Sequence, residues 1–496
     1  MSSISKLAAF PFRFDNSYAR LPERFFARLD PTPVTKPRLI KINTALAEAI
    51  GVDLSSLDEN TAAAIFSGNT VPDGAEPIAM AYAGHQFGHI VPQLGDGRAI
   101  LLGETLDAEN KHWDIHLKGS GQTPFSRRGD GRAALGPVMR EYIISDAMHA
   151  LGIPTTRSLA IVTSGEPVYR QKALPGAVLT RIASSHIRIG TFQYFAMRND
   201  SEAIKILADY SIERHYPHLQ DAQHTYIALL ESVIEAQAKL IARWMQVGFI
   251  HGVMNTDNMT ISGETIDYGP CAFIDTYDPD TVFSSIDDYG RYAFGNQPRV
   301  AQWNLARFAE CLLPLLHDHE EQAIGIAQDC LSRFPDIYEK HWLSGMRRKL
   351  GLSEPKERDS TLIHALLDLM HRERVDFTNL FRALCDKAEA IDSNVELSTM
   401  PAALAGWLER WQARLAEESL TPQQRAQSMR RVNPAYIPRN HRVEQALDAA
   451  VEEDNFSPFE TLLDVVTQPF AERDEWQNYR LPPKPEERVL QTFCGT

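Results

Sequence analysis

Residues 251–269 read His-Gly-Val-Met-Asn-Thr-Asp-Asn-Met-Thr-Ile-Ser-Gly-Glu-Thr-Ile-Asp-Tyr-Gly, and no other stretch limits the possible folds as sharply. In phosphoryl-transfer enzymes a loop of the form His-x-Asp-x-x-x-x-Asn is followed by Asp-Phe-Gly, because an asparagine oxygen and a carboxylate together hold the nucleotide's magnesium ions. His251, Asn258 and Asp267-Tyr268-Gly269 keep that register. The place of the proton-accepting aspartate is taken by Val253, whose side chain neither accepts a proton nor orients a hydroxyl. Such a chain is either inactive or performs different chemistry on the same metal-holding frame.

A chain of 496 residues exceeds one ordinary core, so two or three packed units are expected. Prolines at 22, 31, 33 and 37 interrupt the aromatic positions of the first 75 residues, which read as an arm packed on the body, with one helix over Leu39 to Ile50. From Ala79 to Ile182 short apolar runs bounded by glycines predict strands, with a single helix beginning near Ala134. Helical spacing then takes over. Ile227, Leu230, Ile234, Ile241 and Met245 share one face of a long helix that ends at Gly248, just before His251. Further on, Ser457-Pro458-Phe459-Glu460 has the form of a capping box. These patterns predict an α+β, protein-kinase-like two-lobed fold. It comprises an arm (1–75), a β-rich lobe (76–190), a helical lobe carrying the catalytic and metal-binding loops (191–355), and a helical extension with a cysteine tail (356–496).

With 50 basic and 65 acidic residues the net charge is −15, which argues against a nucleic-acid wrapper. Between Lys118 and Arg198, however, 11 Lys or Arg face 4 Asp or Glu, a basic island suited to a phosphate ligand. No run of roughly 18 apolar residues occurs, and the N-terminus, with Phe10-Pro11-Phe12 and Asp15, lacks a signal-peptide core. A cytoplasmic protein without membrane partners is therefore expected. The five cysteines lack metal-ligand spacing and are odd in number, against a disulfide framework.

Several residues upstream of the loop suit a nucleotide. Gly95, Gly97 and Arg98 stand before the strand starting at Ala99, where glycines would let backbone N–H groups approach phosphates, although alone they fit a hairpin turn better. Lys118 ends the run Trp113 to Leu117 and Glu141 follows on a helix, the strand-lysine and helix-glutamate arrangement that fixes phosphates. A surface lysine and glutamate would read the same, and Asn258 and Asp267 tip the balance to function. The loop from Gly119 to Arg132 holds Arg127, Arg128, Asp130 and Gly131, and with Arg181 and Arg188 it collects guanidiniums suited to an anion. Asp257 is the only carboxylate inside the catalytic loop and either accepts a proton or caps a turn. His85 and His89 have the spacing of a helical zinc pair, but Gly84 and Gly88 discourage a helix. Asp275, Asp278 and Asp280 lack the glycine and glutamate of a calcium loop.

The chain resembles the selenoprotein O family of protein adenylyltransferases, once classed as pseudokinases. The carrying segments are Phe14-Asp-Asn-Ser-Tyr-Ala-Arg-Leu-Pro, Tyr82-Ala-Gly-His-Gln-Phe-Gly, Gln93-Leu-Gly-Asp-Gly-Arg-Ala, Leu117-Lys-Gly-Ser-Gly-Gln-Thr-Pro-Phe-Ser-Arg, the 251–259 loop and Asn433-Pro-Ala-Tyr-Ile-Pro-Arg-Asn-His. The resemblance implies that ATP lies reversed relative to kinases and that AMP passes to Ser, Thr or Tyr hydroxyls of proteins while pyrophosphate leaves. It implies Lys118, Arg181 and Arg188 on the β- and γ-phosphates, and Gly95, Gly97, Arg98, Asp130 and Gly131 at the nucleotide. It further implies Glu141 as the lysine's partner, Asn258 and Asp267 as ligands of magnesium or manganese, and Asp257 as proton acceptor. Members often end in selenocysteine or cysteine, so the resemblance also suggests a regulatory disulfide between Cys494 and Cys271; the residues alone fit two unrelated thiols as well. An atypical kinase, a uridylyltransferase using UTP and a non-catalytic nucleotide-binding scaffold are the alternatives. Retention of both Asn258 and Asp267 speaks against the scaffold, and the arginine loop against an ordinary nucleotide orientation.

Overall fold

The computed structural model describes residues 12–55, 57–389 and 402–493, and the chain is α+β, with a β-rich N-terminal part and a helical remainder. Eight strands form one antiparallel sheet. Its order is Phe26–Arg28, Ile78–Met80, Ala99–Leu106, His112–Lys118, Ala173–Ala183, Arg157–Tyr169, Arg38–Ile42, with Ala133–Ala134 pairing beside Ala173–Ala183. In the central strand His112–Lys118 side chains alternate between faces, as a strand requires. Ile115 and Leu117 pack with Phe66, Val162 and Val178, whereas Asp114, His116 and Lys118 share the opposite face. Helix Leu135–Ala150 packs on the sheet through Met139, Ile143 and Met148, and helices Asn440–Glu453 and Ser457–Val466 close over it.

The first residues are more than an arm. Their strands Phe26–Arg28 and Arg38–Ile42 form the two edges of the sheet, and Asp58 caps a further helix, Glu59–Phe66. The helix expected over Leu39 to Ile50 forms only in the second half of that span. Arg38–Ile42 pairs with Arg157–Tyr169, and the helix, Thr44–Ala49, starts only after Asn43, whose side chain accepts the Leu46 N–H at 3.0 Å. The capping box expected at Ser457 is not formed. Ser457 lies inside its helix, its N–H donates to Asn455 Oδ1 at 3.1 Å, and Glu460 pairs with Lys41.

Helix Thr225–Val247 buries Leu230, Ile234 and Ile241 and stops at Gly248, whose φ of 75° is left-handed, as a helix terminus favours. The short strand Phe249–Ile250 then pairs with Ala272–Phe273, so the 251–271 loop emerges as a closed excursion. Arg439 and Asn440, from the Asn433–His441 segment, brace its far end. Arg439 pairs with Asp275 at 2.6 Å and Asp376 at 2.7 Å, and Asn440 Nδ2 donates to Phe273 O at 3.0 Å. Among the described residues no helix is long and apolar enough to cross a membrane.

Candidate active site

Asp267 is the hub. It takes φ = 59°, a conformation few non-glycine residues adopt, and its carboxylate turns back into the sheet. Oδ1 accepts from Arg181 Nη1 at 2.5 Å and Lys118 Nζ at 3.2 Å, while Oδ2 accepts from Arg188 Nη1 at 2.7 Å. Burial would raise its pKa, but Arg181, Lys118 and Arg188 outweigh burial and hold the carboxyl well below the usual range. Glu141 backs the cluster, with Oε2 2.5 Å from Lys118 Nζ and Oε1 3.2 Å from Arg181 Nη1. Lys118 and Arg181 meet because their antiparallel strands place Leu179 opposite Lys118 and Arg181 opposite His116.

Asn258 Nδ2 donates to Val253 O at 2.8 Å, which leaves the amide oxygen as the group a cation would meet. His251 holds the loop in place, with its Nε2 2.8 Å from Ile266 O and its ring stacked on Trp244. Asp257 is buried, with Gln86 Nε2 3.3 Å from Oδ2 and no partner for Oδ1. Burial lifts its pKa to about 6, against the opposing pull of Arg188. The neighbouring strand leaves it room only as glycine, since a Cβ on Gly84 would stand 2.3 Å from Asp257 Oδ1.

Lys118, Glu141, Arg181, Arg188, Asp257, Asn258, Asp267, Gly97 and Arg98 all line one cavity of about 350 Å³. Asp130, Gly131 and Gly95 do not. They line an adjoining cavity of about 510 Å³, which shares Tyr82, Gly97, Arg98 and Arg127 with the first. There Asp130 is held by Arg170 at 2.8 Å, and Gly131, at φ = 71°, abuts the Gly121 backbone. Gly95 and Gly97 both leave room for Phe125: a Cβ on Gly95 would lie 2.3 Å from the Phe125 ring, and one on Gly97 2.8 Å from Phe125 O. Cys271 is buried; Cys494 lies outside the described residues, although the tail before it is anchored by Thr492 Oγ1, which donates to Pro270 O at 2.7 Å.

His85 and His89 sit on the two strands of a hairpin, with His85 bonded to Gln193. Asp278 accepts the Asp280 N–H in a turn, and Asp275 belongs to Arg439. Sequence reasoning missed Asp96, His116, Asp114 and His186, a buried polar row behind Lys118 and Arg181. Period-two alternation through 114, 116 and 118 was the available signal, but a polar strand face reads by default as solvent-facing.

Three buried cations converging on one carboxylate, beside an asparagine amide, suit the phosphates of a nucleotide better than any neutral group, and this defines an enzyme of phosphoryl or nucleotidyl transfer. Comparison with known proteins narrows the class. The family described as protein adenylyltransferase SelO matches residues 9–467. The protein nucleotidyltransferase YdiU of Rhizobium meliloti (strain 1021) is 60% identical over 98% of this chain and 99% of that protein. Its counterpart from Bradyrhizobium sp. (strain ORS 278) is 60% identical over 98% of this chain and 99% of that protein, and that from Rhizobium rhizogenes 58% over 99% and 98%. The chain belongs to the SelO family and is a protein nucleotidyltransferase.

Proposed function

We propose that this chain transfers AMP from ATP to Ser, Thr or Tyr hydroxyls of proteins, on a protein-kinase-like frame with the nucleotide reversed. The observation that carries the reading is the floor of the cavity. The side chains of Arg181 and Arg188 are only 3% and 2% exposed, so the innermost groups are charged. A purine has no reason to enter there, whereas a polyphosphate replaces the carboxylate contacts that these cations make with Asp267. Arg127, Arg128 and Asp130, by contrast, are exposed, and the second cavity they line has room for the nucleoside.

Asp257 takes the proton of the acceptor hydroxyl as its oxygen bonds to the α-phosphorus. The bond from that phosphorus to the bridging oxygen breaks, and pyrophosphate leaves with the electron pair, its charge met by Lys118, Arg181 and Arg188. Among the described residues no group of three or more His, Cys, Asp or Glu could hold a metal by itself. Asn258 and Asp267 offer hard oxygen donors that fit magnesium or manganese completed by phosphate oxygens. Such an ion would neutralise charge on the phosphates. The Thr492 anchor beside Pro270 also supports a redox-sensitive link from Cys494 to Cys271, under which reductant raises the rate.

The test is incubation with magnesium, an acceptor protein and ATP labelled on either the α- or the γ-phosphate, alongside Asp267→Ala and with UTP as competitor. Label from the α-phosphate, lost in the variant, is expected. Label from the γ-phosphate would make the chain a kinase and overturn the reversed orientation, and preferential use of UTP would change the transferred group to UMP.

A further inference from the structure

His116 is fully buried, one step inward from Lys118 on the same strand face. Arg181 Nη2 lies 3.0 Å from His116 Nδ1. A guanidinium can only donate, so Nδ1 is the acceptor and the ring proton sits on Nε2. Nε2 then donates to Asp96 Oδ2 at 3.2 Å, and the same oxygen accepts the Met80 N–H at 3.0 Å. The ring cannot turn, because His186 stacks on it with centroids 4.2 Å apart and is itself bonded to Asp114 at 2.9 Å. The result is a row, Asp96 to His116 to Arg181, that ends on Asp267.

The chemistry of the middle member matters. Arg181 already faces Glu141 and Asp267, and a third carboxylate would cancel the charge it has to offer. A neutral imidazole accepts a hydrogen bond and adds no negative charge. Burial, then Arg181 and Arg188, hold the imidazole's pKa well below its ordinary value, so it stays in the accepting form.

We propose that His116, set by Asp96, is a positioning residue of the transfer reaction: it holds one edge of the Arg181 guanidinium so that the other faces the phosphates. This rests on the reading of Arg181 as a phosphate ligand. It extends the site one layer into the sheet and ties the 94–98 loop, through Asp96, to the phosphate end of the cavity.

The experiment measures binding of inorganic pyrophosphate and of adenosine by calorimetry in magnesium, and transfer from α-labelled ATP. The proteins are wild type, His116→Phe, His116→Asn, Arg181→Lys and the His116→Phe/Arg181→Lys pair. His116→Phe keeps the stacked ring but removes the acceptor; it is expected to weaken pyrophosphate at least tenfold while changing adenosine less than twofold. His116→Asn, whose amide oxygen can stand near the Nδ1 position, should recover most of the loss. In the pair, the Phe substitution should cost little beyond Arg181→Lys, since both act through one group. Where the Phe chain does not fold, His116→Gln takes its place, its amide reaching towards Asp96 and away from Arg181, with the same expected loss. Wild-type pyrophosphate affinity in His116→Phe or its substitute, with affinity lost in Arg181→Lys, would overturn the proposal and leave the phosphate reading standing. Unchanged affinity in Arg181→Lys would remove the phosphate reading and this inference with it.

Discussion

Replacing Asp257 by asparagine should slow transfer and, at neutral pH, relieve a stability cost. Asp257 as a residue is 7% exposed, its Oδ1 has no partner, and burial raises its pKa from the ordinary 3.8 to about 6. That rise corresponds to about 3 kcal/mol. Because the folded pKa lies above the unfolded one, the stabilisation is fully present below pH 3.8 and is lost as pH rises through about 6, since the unfolded chain releases this proton first. Asparagine mimics the protonated form at every pH. The unfolding free energy of Asp257→Asn minus that of wild type should therefore grow by about 3 kcal/mol between about pH 4 and pH 8. Any constant offset from the amide's own hydrogen bonds cancels in that difference. Urea unfolding across the pH range, in EDTA and without nucleotide, isolates the groups that face the carboxyl, namely Arg188, Gln86 and Asp267. A flat difference, or a wild type that gains on the variant as pH rises, would refute the argument. The same substitution should lower transfer by about a hundredfold, the low end for loss of a general base.

Three further outcomes are expected. Gly84→Ala drives a Cβ to within 2.3 Å of Asp257 Oδ1 and should cut kcat at least about tenfold in a protein whose circular dichroism is unchanged. Lys349 is buried over the Phe381 ring at 4.2 Å, and burial lowers its pKa from 10.5 to about 7. Charging it in the fold below pH 7 costs about 5 kcal/mol, so Lys349→Met should raise urea stability by up to that amount at pH 6, with the gain shrinking as pH climbs towards 10.5. Arg439→Met strips Asp275 and Asp376 of their shared partner and should cost about 3–5 kcal/mol in the same assay, with faster hydrogen exchange around Phe273.

Local chemistry was readable where it depended on neighbours in the chain. Gly248 ends its helix because a left-handed residue is needed there, and the run Trp113 to Leu117 marks a strand. Leu39 to Ile50 misled because its apolar spacing suits a helix, while the partner that makes Arg38–Ile42 a strand lies in residues 157–169. Ser457 misled because Asn455 takes its N–H before the expected box can form. Glycines 95 and 97 suit a turn or a phosphate from sequence; that they also admit Phe125 is a contact made only once the 119–132 loop folds back.

The sequence by itself determined the kinds of groups available: a lysine at a strand end, two arginines, an asparagine and an aspartate in one loop, and a valine where a kinase has its base. Only the tertiary structure decided how they act together. Asp267 draws its three cations from 149, 86 and 79 residues away. Burial beside Gly84 lifts the pKa of Asp257 to about 6, and a polar strand face becomes the Asp96–His116–Arg181 row because helix and sheet close over it. Residue type is a local property, whereas burial and strand register, which set charge state and contact, arise only when distant segments pack.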